Sequence, residues 1–208
     1  MKNIGRYNME RLGFYYDMTT CIGCGACQVA CKDVNKLRSG EFYRRVETIS
    51  MDVNDNEEHY HYSGACNHCA EPACVEVCPV GSMYVAEDGT VRHDDGKCIG
   101  CGACAWYCPY GAVSFSQTKG VAQKCESCYE RREKGLAPAC VAACTTHSLK
   151  FGKLDEIGEE SAVQTLPFLP SPEQTKPSIK ISVPKDLNDE NLKHQVRRTV
   201  WKIEGENI

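Results

Sequence analysis

The sequence predicts an α+β fold: two small cysteine-held modules followed by an extended C-terminal arm. Three observations carry this. The 16 cysteines fall into four groups of four between Cys21 and Cys144. Short alternating runs that read as strands lie between the groups. From about Asp155 the cysteines stop, and prolines gather at 167–184. A chain of 208 residues has room for one large or two small domains. Leu, Ile, Val and Phe make up only about 19% of it, a share at which apolar burial alone would struggle to hold a fold. The cysteines must supply what the core lacks.

The first group is Cys21, Cys24, Cys27 and Cys31, spaced C-x2-C-x2-C-x3-C, and the second is Cys66, Cys69, Cys74 and Cys78. The third, Cys98, Cys101, Cys104 and Cys108, repeats the first spacing with Pro109 behind it. In the fourth, Cys125, Cys128, Cys140 and Cys144, a long gap separates the middle two members. The heptapeptide CIGCGAC stands verbatim at 21–27 and at 98–104, so the repeated unit is a ligand loop. Three thiolates two residues apart can wrap three corners of a 4Fe-4S cubane, while the fourth corner takes a cysteine from elsewhere. Gly23, Gly25, Ala26, Gly100, Gly102 and Ala103 are small enough to let backbone amides approach the sulfides and help set a potential. Disulfides would need eight bridges from sulfurs packed this densely, and structural zinc would show paired C-x2-C knuckles a longer stretch apart. Sixteen ligands at four per cubane predict four 4Fe-4S clusters.

Residues 28–37 read as a short helix leaving the first loop. FYRRVETIS (42–50) and HYHYS (59–63) alternate as strands do. Met83 to Val85 and Thr90 to Arg92 flank the Asp-Gly turn of a hairpin. Residues 66–109 are thus legible as a complete two-cluster module, which leaves groups one and four to partner each other. The adjacent pairing, one with two and three with four, stays open on the residues alone. In the fourth group Ser127 and Glu130 fit a capping box and Gly135 a helix stop, so the gap holds a helical excursion, either a docking element or a solvated turn. Beyond the proline-rich segment, Leu192, Val196, Val200 and Ile203 suggest one short amphipathic helix. The arm crosses the protein's own surface or a partner's.

With 24 Lys and Arg against 28 Asp and Glu, the net charge of −4 gives no basic excess for nucleic acid. No stretch approaches the ~20 apolar residues of a membrane span. Met1 to Arg11 shows no export signal, so a protein working outside the cytoplasm would be expected to travel with a partner. Lys32, Lys97 and Lys124 adjoin ligands, where a cation would offset thiolate charge, though each also reads as a solubilising lysine. Trp106, Tyr107 and Tyr110 flank Cys108 and are expected to shield a cluster from water. His68, between Cys66 and Cys69, must lie beside a cluster; no histidine is needed as a ligand. There is no nucleotide motif and no nucleophile-base pair, so no catalytic residue is assigned and the chain does not read as an enzyme.

The segments CIGCGACQVACK, CNHCAEPACVEVCP, CIGCGACAWYCPYGA and KCESCYERREKGLAPACVAAC, with KPSIKI at 176–181, resemble the four-cluster iron–sulfur subunits of the dimethyl sulfoxide reductase family of molybdopterin oxidoreductases. The resemblance implies two bacterial-ferredoxin-like 2×4Fe-4S modules in nested arrangement. The outer module would span 13–65 plus 110–154, the inner one 66–109, and 155–208 would be the tail and short helix for docking. It implies four ligand sets: Cys21, Cys24, Cys27 with Cys144; Cys125, Cys128, Cys140 with Cys31; Cys66, Cys69, Cys74 with Cys108; and Cys98, Cys101, Cys104 with Cys78. Cys101, where some relatives carry tryptophan, favours four cubanes. Thr145 departs from the proline of many relatives. The implied partners are a molybdenum or tungsten pterin catalytic subunit and a quinol-oxidising membrane subunit. The implied place is a peripheral membrane complex, on the periplasmic face by co-export or else on the cytoplasmic one. The chain would relay single electrons between those partners; a free-standing soluble polyferredoxin is the alternative.

Overall fold

A computed structural model describes residues 11–53, 56–185 and 197–199. The first element, β1 (Leu12–Asp17), is a run of Gly, Phe and Tyr whose central residues are all buried. Burial on both faces explains why it shows no alternation. It is the middle strand of a three-stranded sheet. On one side β8 (Leu149–Lys153) runs antiparallel, placing Phe14 opposite Phe151 and Tyr16 opposite Leu149. On the other side β9 (Ile179–Ser182) runs parallel, with Phe14 opposite Ile179.

The expected helix forms as α1 (Ala26–Val34). The two expected strands lengthen to β2 (Arg44–Val53) and β3 (Asn56–Ala65), an antiparallel ladder. The outer edge of β2 takes β10 (Arg197–Thr199), with Arg198 opposite Ile49. This corrects the helical reading of the C-terminus at 197–199, where ladder hydrogen bonds to an open edge outweigh a weak four-residue period. Leu192, Val196, Val200 and Ile203 lie outside the described residues.

Two short helices, α2 (Ala73–Glu76) and α3 (Ala103–Tyr107), follow the second and third loops. The hairpin of β4 (Met83–Val85) and β5 (Val91–His93) stands where the Asp-Gly turn puts it. A second hairpin, β6 (Val113–Phe115) with β7 (Ala122–Lys124), follows the third group just as the first follows the second. The fourth group carries α4 (Tyr129–Arg132) and α5 (Ala139–Ala142). Proline stands before each of α2 and α5, at Pro72 and Pro138, where its missing N–H costs no bond. Helix α1 packs against α5, and α2 against α3.

Two cores result. One gathers Phe14, Tyr16, Ile49, Leu149 and Ile181 around Cys27, Cys66, Cys125 and Cys140. The other joins Met83, Val91, Val113 and Ala122 to Cys74 and Cys104. The proline-rich segment lies on the protein's own surface. Ile181 is wholly buried, Val163 bridges to it, and Pro177 is among the most buried side chains. Ala70 N donates to Lys176 O at 2.8 Å and Glu71 N to Thr175 O at 3.0 Å, so this strap is tied to the second cysteine loop.

The excursion after Cys128 is neither free nor capped as expected. Ser127 has a left-handed backbone (φ 56°) and is buried, and its hydroxyl donates to Glu126 O rather than capping α4. Arg132 Nη2 reaches Asp88 Oδ2 at 2.7 Å, and Arg92 Nη2 reaches the same oxygen at 3.0 Å. The excursion is thereby braced against the β4–β5 turn. Gly135, at φ 71°, ends the helical part as expected.

Candidate metal centres

The duplicated heptapeptide folds the same way twice. Gly23 and Gly25 have φ of 67° and 73°, and Gly100 and Gly102 have 69° and 80°. A side chain at Gly23 would strike the His61 ring, and one at Gly100 would overlap the Gly120 carbonyl oxygen. Glycine is required there for closeness as well as for torsion.

None of the sixteen cysteines is joined in a disulfide. Cys21, Cys24, Cys27 and Cys144 line one cavity beside Tyr16 and Ser63. Cys31, Cys125, Cys128 and Cys140 line a second, beside Arg44 and Tyr43. Cys66, Cys69, Cys74 and Cys108 lie close enough to feel one another's charge. Cys104 feels Cys98 and Cys78, while Cys101 sits exposed in the same loop. The first cavity meets the second through Cys27 and Cys140, and the second meets the third quartet through Cys125 and Cys66. Among the described residues no three His, Cys, Asp or Glu side chains close on a single ion. The first two quartets line hollows instead.

Burial pushes the Cys31, Cys69 and Cys74 thiols up to about 12, and neighbouring cysteines add to the rise. Buried thiolates in fours therefore need a cation among them. Burial alone would raise Cys78 too, but Ser82 Oγ at 3.2 Å and the amides of Met83, Val80 and Ser82 bring it down to about 7. Cys144 is lowered in the same way: burial opposes, while the amides of Leu149 and Ser148 and the Thr146 hydroxyl prevail. Ala112 N lies 3.4 Å from Cys108 Sγ, Ser127 N 3.4 Å from Cys125 Sγ, and Ser63 Oγ 3.4 Å from Cys27 Sγ. Thiolate quartets ringed by amide and hydroxyl donors are the donor set of iron–sulfur cubanes, and sixteen cysteines fit four 4Fe-4S clusters. Each such cluster supplies a one-electron change.

The flanking residues sort differently from expectation. Lys124 is buried, and its Nζ donates to Val91 O and to Cys125 O at 2.9 Å. Lys97 is an exposed partner of Asp94, and Lys32 Nζ is held by Arg38 O and Glu41 O at 2.5 and 2.7 Å. Neither meets a sulfur. Trp106 and Tyr107 do not shield: they are 87% and 62% exposed. Helix α3 is a little over one turn long, and among the described residues nothing covers either ring. Tyr110 is partly covered, its hydroxyl 3.1 Å from Thr175 Oγ1. His68 is fully buried beside its cysteines, with Nδ1 accepting from Val91 N at 3.0 Å. Burial holds its pKa well below the usual imidazole range, so the ring is neutral. Arg44, which lines the second cavity, and Ser63, which lines the first, went unread in the sequence. The one signal was an arginine inside an otherwise apolar-alternating strand.

The fold and these quartets define a ferredoxin-like 4Fe-4S protein. Two families, both described as a 4Fe-4S dicluster domain, match residues 57–154 and 20–82. The sequence is 41% identical over 181 residues to an anaerobic dimethyl sulfoxide reductase chain of Escherichia coli, covering 81% of this protein and 87% of that one. It is 34% identical over 177 residues to a sulfite dehydrogenase subunit of Allochromatium vinosum, covering 74% of each. With the formate dehydrogenase iron–sulfur subunit of Wolinella succinogenes it shares 37% over 172 residues, covering 72% of this protein and 85% of the relative. The chain thus belongs to this family of iron–sulfur subunits of oxidoreductases, that of dimethyl sulfoxide reductase among them. It is an electron-transfer subunit and not a catalytic one. Among the described residues no helix is long and apolar enough to cross a membrane.

Proposed function

We propose that this chain carries single electrons through four 4Fe-4S clusters, between a quinol-oxidising membrane subunit and a molybdopterin catalytic subunit of a dimethyl sulfoxide reductase-like complex in anaerobic respiration. The ligand sets are Cys21, Cys24, Cys27 and Cys144; Cys31, Cys125, Cys128 and Cys140; Cys66, Cys69, Cys74 and Cys108; and Cys78, Cys98, Cys101 and Cys104. The modules are nested: 66–109 forms the inner one, 13–65 with 110–154 the outer one, and 155–208 the arm. The complex is peripheral to the membrane, on its outer face, reached by export with the catalytic subunit.

The observation that carries this reading is the adjacency of the quartets: Cys140 joins the first two, Cys125 with Cys66 the next, and Cys74 shares a core with Cys104 of the last. Only the end quartets expose a cysteine, Cys24 at one end and Cys101 at the other. Ile22 and Val29 stand bare beside the first, and Ile99, Trp106 and Tyr107 beside the second. Apolar residues at two separate ends suit docking to two partners.

Serine replacement tests the pairing in the intact complex, read by electron paramagnetic resonance. Cys24→Ser and Cys144→Ser are expected to alter one and the same signal, and Cys31→Ser and Cys128→Ser a second one. If Cys31→Ser altered the signal that Cys24→Ser alters, the nested assignment would be wrong.

A further inference from the structure

Arg44 opens β2 and is 3% exposed. Its Nη1 donates to the Ser63 carbonyl oxygen at 2.8 Å and to Ser63 Oγ at 3.1 Å, and its guanidinium lies 4.8 Å from the centre of the Phe14 ring. Ser63 Oγ in turn meets Cys27 Sγ at 3.4 Å. Arg44 also lines the cavity of Cys31, Cys125, Cys128 and Cys140. Its Nε is buried without a hydrogen-bond partner. Among the described residues no carboxylate pairs with it, and the charges that face it are the sulfurs of Cys140, Cys125, Cys27 and Cys31.

A guanidinium does not give up its proton in a protein, and a buried charge without a counter-charge is unfavourable. Among the described residues the sulfurs of two quartets are the counter-charges that face it, and the buried Nε–H is a donor left over. From this arrangement we infer that Arg44 is a shared positioning residue for the two outer sites, a fixed positive charge that favours their electron-rich states and raises both of their reduction potentials. The inference rests on the ligand sets proposed above. It separates the outer pair from the inner one, where Cys74 faces the buried Lys124 instead.

The test uses the purified complex with Arg44→Gln, with Arg44→Lys, and with exposed Arg45→Gln as control. Iron and labile sulfide are counted first; a wild-type complex without four clusters would refute the ligand sets and not the role of Arg44. Redox titration followed by electron paramagnetic resonance then reads each potential, the outer signals being those altered by Cys24→Ser and Cys128→Ser. Arg44→Gln is expected to lower the reduction equilibrium constant of both outer clusters at least tenfold, 59 mV for one electron, and to move the inner two less than threefold. Arg44→Lys keeps the charge and is expected to hold all four within threefold, as is Arg45→Gln. Outer potentials unmoved by Arg44→Gln, or four moved alike, would overturn the inference. If Arg44→Gln loses iron, Arg44→Lys decides: unmoved outer potentials support the role of charge, and a tenfold fall with all clusters in place refutes it.

Discussion

Cys31 and Cys78 hold the same fourth place in their groups, and their surroundings differ. A tight turn follows Cys78, and its amides and the Ser82 hydroxyl converge on the sulfur. After Cys31 the chain continues as α1, so those amides are committed to the helix; the Asn35 side-chain amide, 3.7 Å away, is a distant substitute. Arg44 stands where the amides cannot. Asp88 shows the same reliance on a few polar atoms. Burial alone would raise its carboxyl, but Thr90 and Arg132 hold it well below the usual carboxylate range. A depressed folded-state pKa contributes stability that is present above the unfolded value of about 4 and is lost as pH falls through the folded one. Asp88→Asn is expected to destabilise the protein by about 1 kcal/mol, after allowing for solvent screening of a partly exposed pair. Thermal melts should show the gap from wild type equal at pH 8 and pH 5. A gap already closing at pH 5 would mean that the carboxylate is not held as described.

The ligand loops are the elements that the sequence exposes most fully, because their geometry is local. The verbatim repeat CIGCGAC already implied two like loops, and the glycine torsions match. Within them the glycines differ in consequence. A methyl group at Gly100 would overlap a backbone oxygen, whereas at Gly25 it would meet nothing within 4 Å and incur only the torsional cost of about 1 kcal/mol. Gly100→Ala should therefore lose the cluster of that loop, leaving roughly three-quarters of the iron, while Gly25→Ala keeps it all. Equal iron in the two variants would contradict the close approach. The hairpin at 83–93 was legible from its Asp-Gly turn, and β2 and β3 from alternation. The strands β1, β8 and β9 were not: β1 is buried on both faces, and β9 reaches it across more than 160 residues. The hairpin of β6 and β7 turns through Gln117 to Gly120 without a short turn dipeptide of the usual kind.

Across the whole molecule, sequence spacing revealed how many ligands there are but left nested and adjacent pairings both open. The contacts of α1 with α5 and of α2 with α3 arise from long-range packing that no local signal carries. The strap from Val163 to Ser182 is another such feature. Its prolines announced an extended path, and only the buried Ile179, Ile181 and Leu166 show that the path lies over this chain. The brace of Arg132 and Arg92 on Asp88 then joins the fourth group to the β4–β5 hairpin and holds the two at a fixed spacing. Fixed spacing is what a conduit needs, since each electron must find the next site where the last one left it. The claim that this chain holds four 4Fe-4S clusters is tested most directly by reductive titration of the anaerobically purified complex, with iron and labile sulfide counted for this chain. Four one-electron steps with four irons and four sulfides to each cysteine quartet are expected. Two steps, or half that iron, would contradict it.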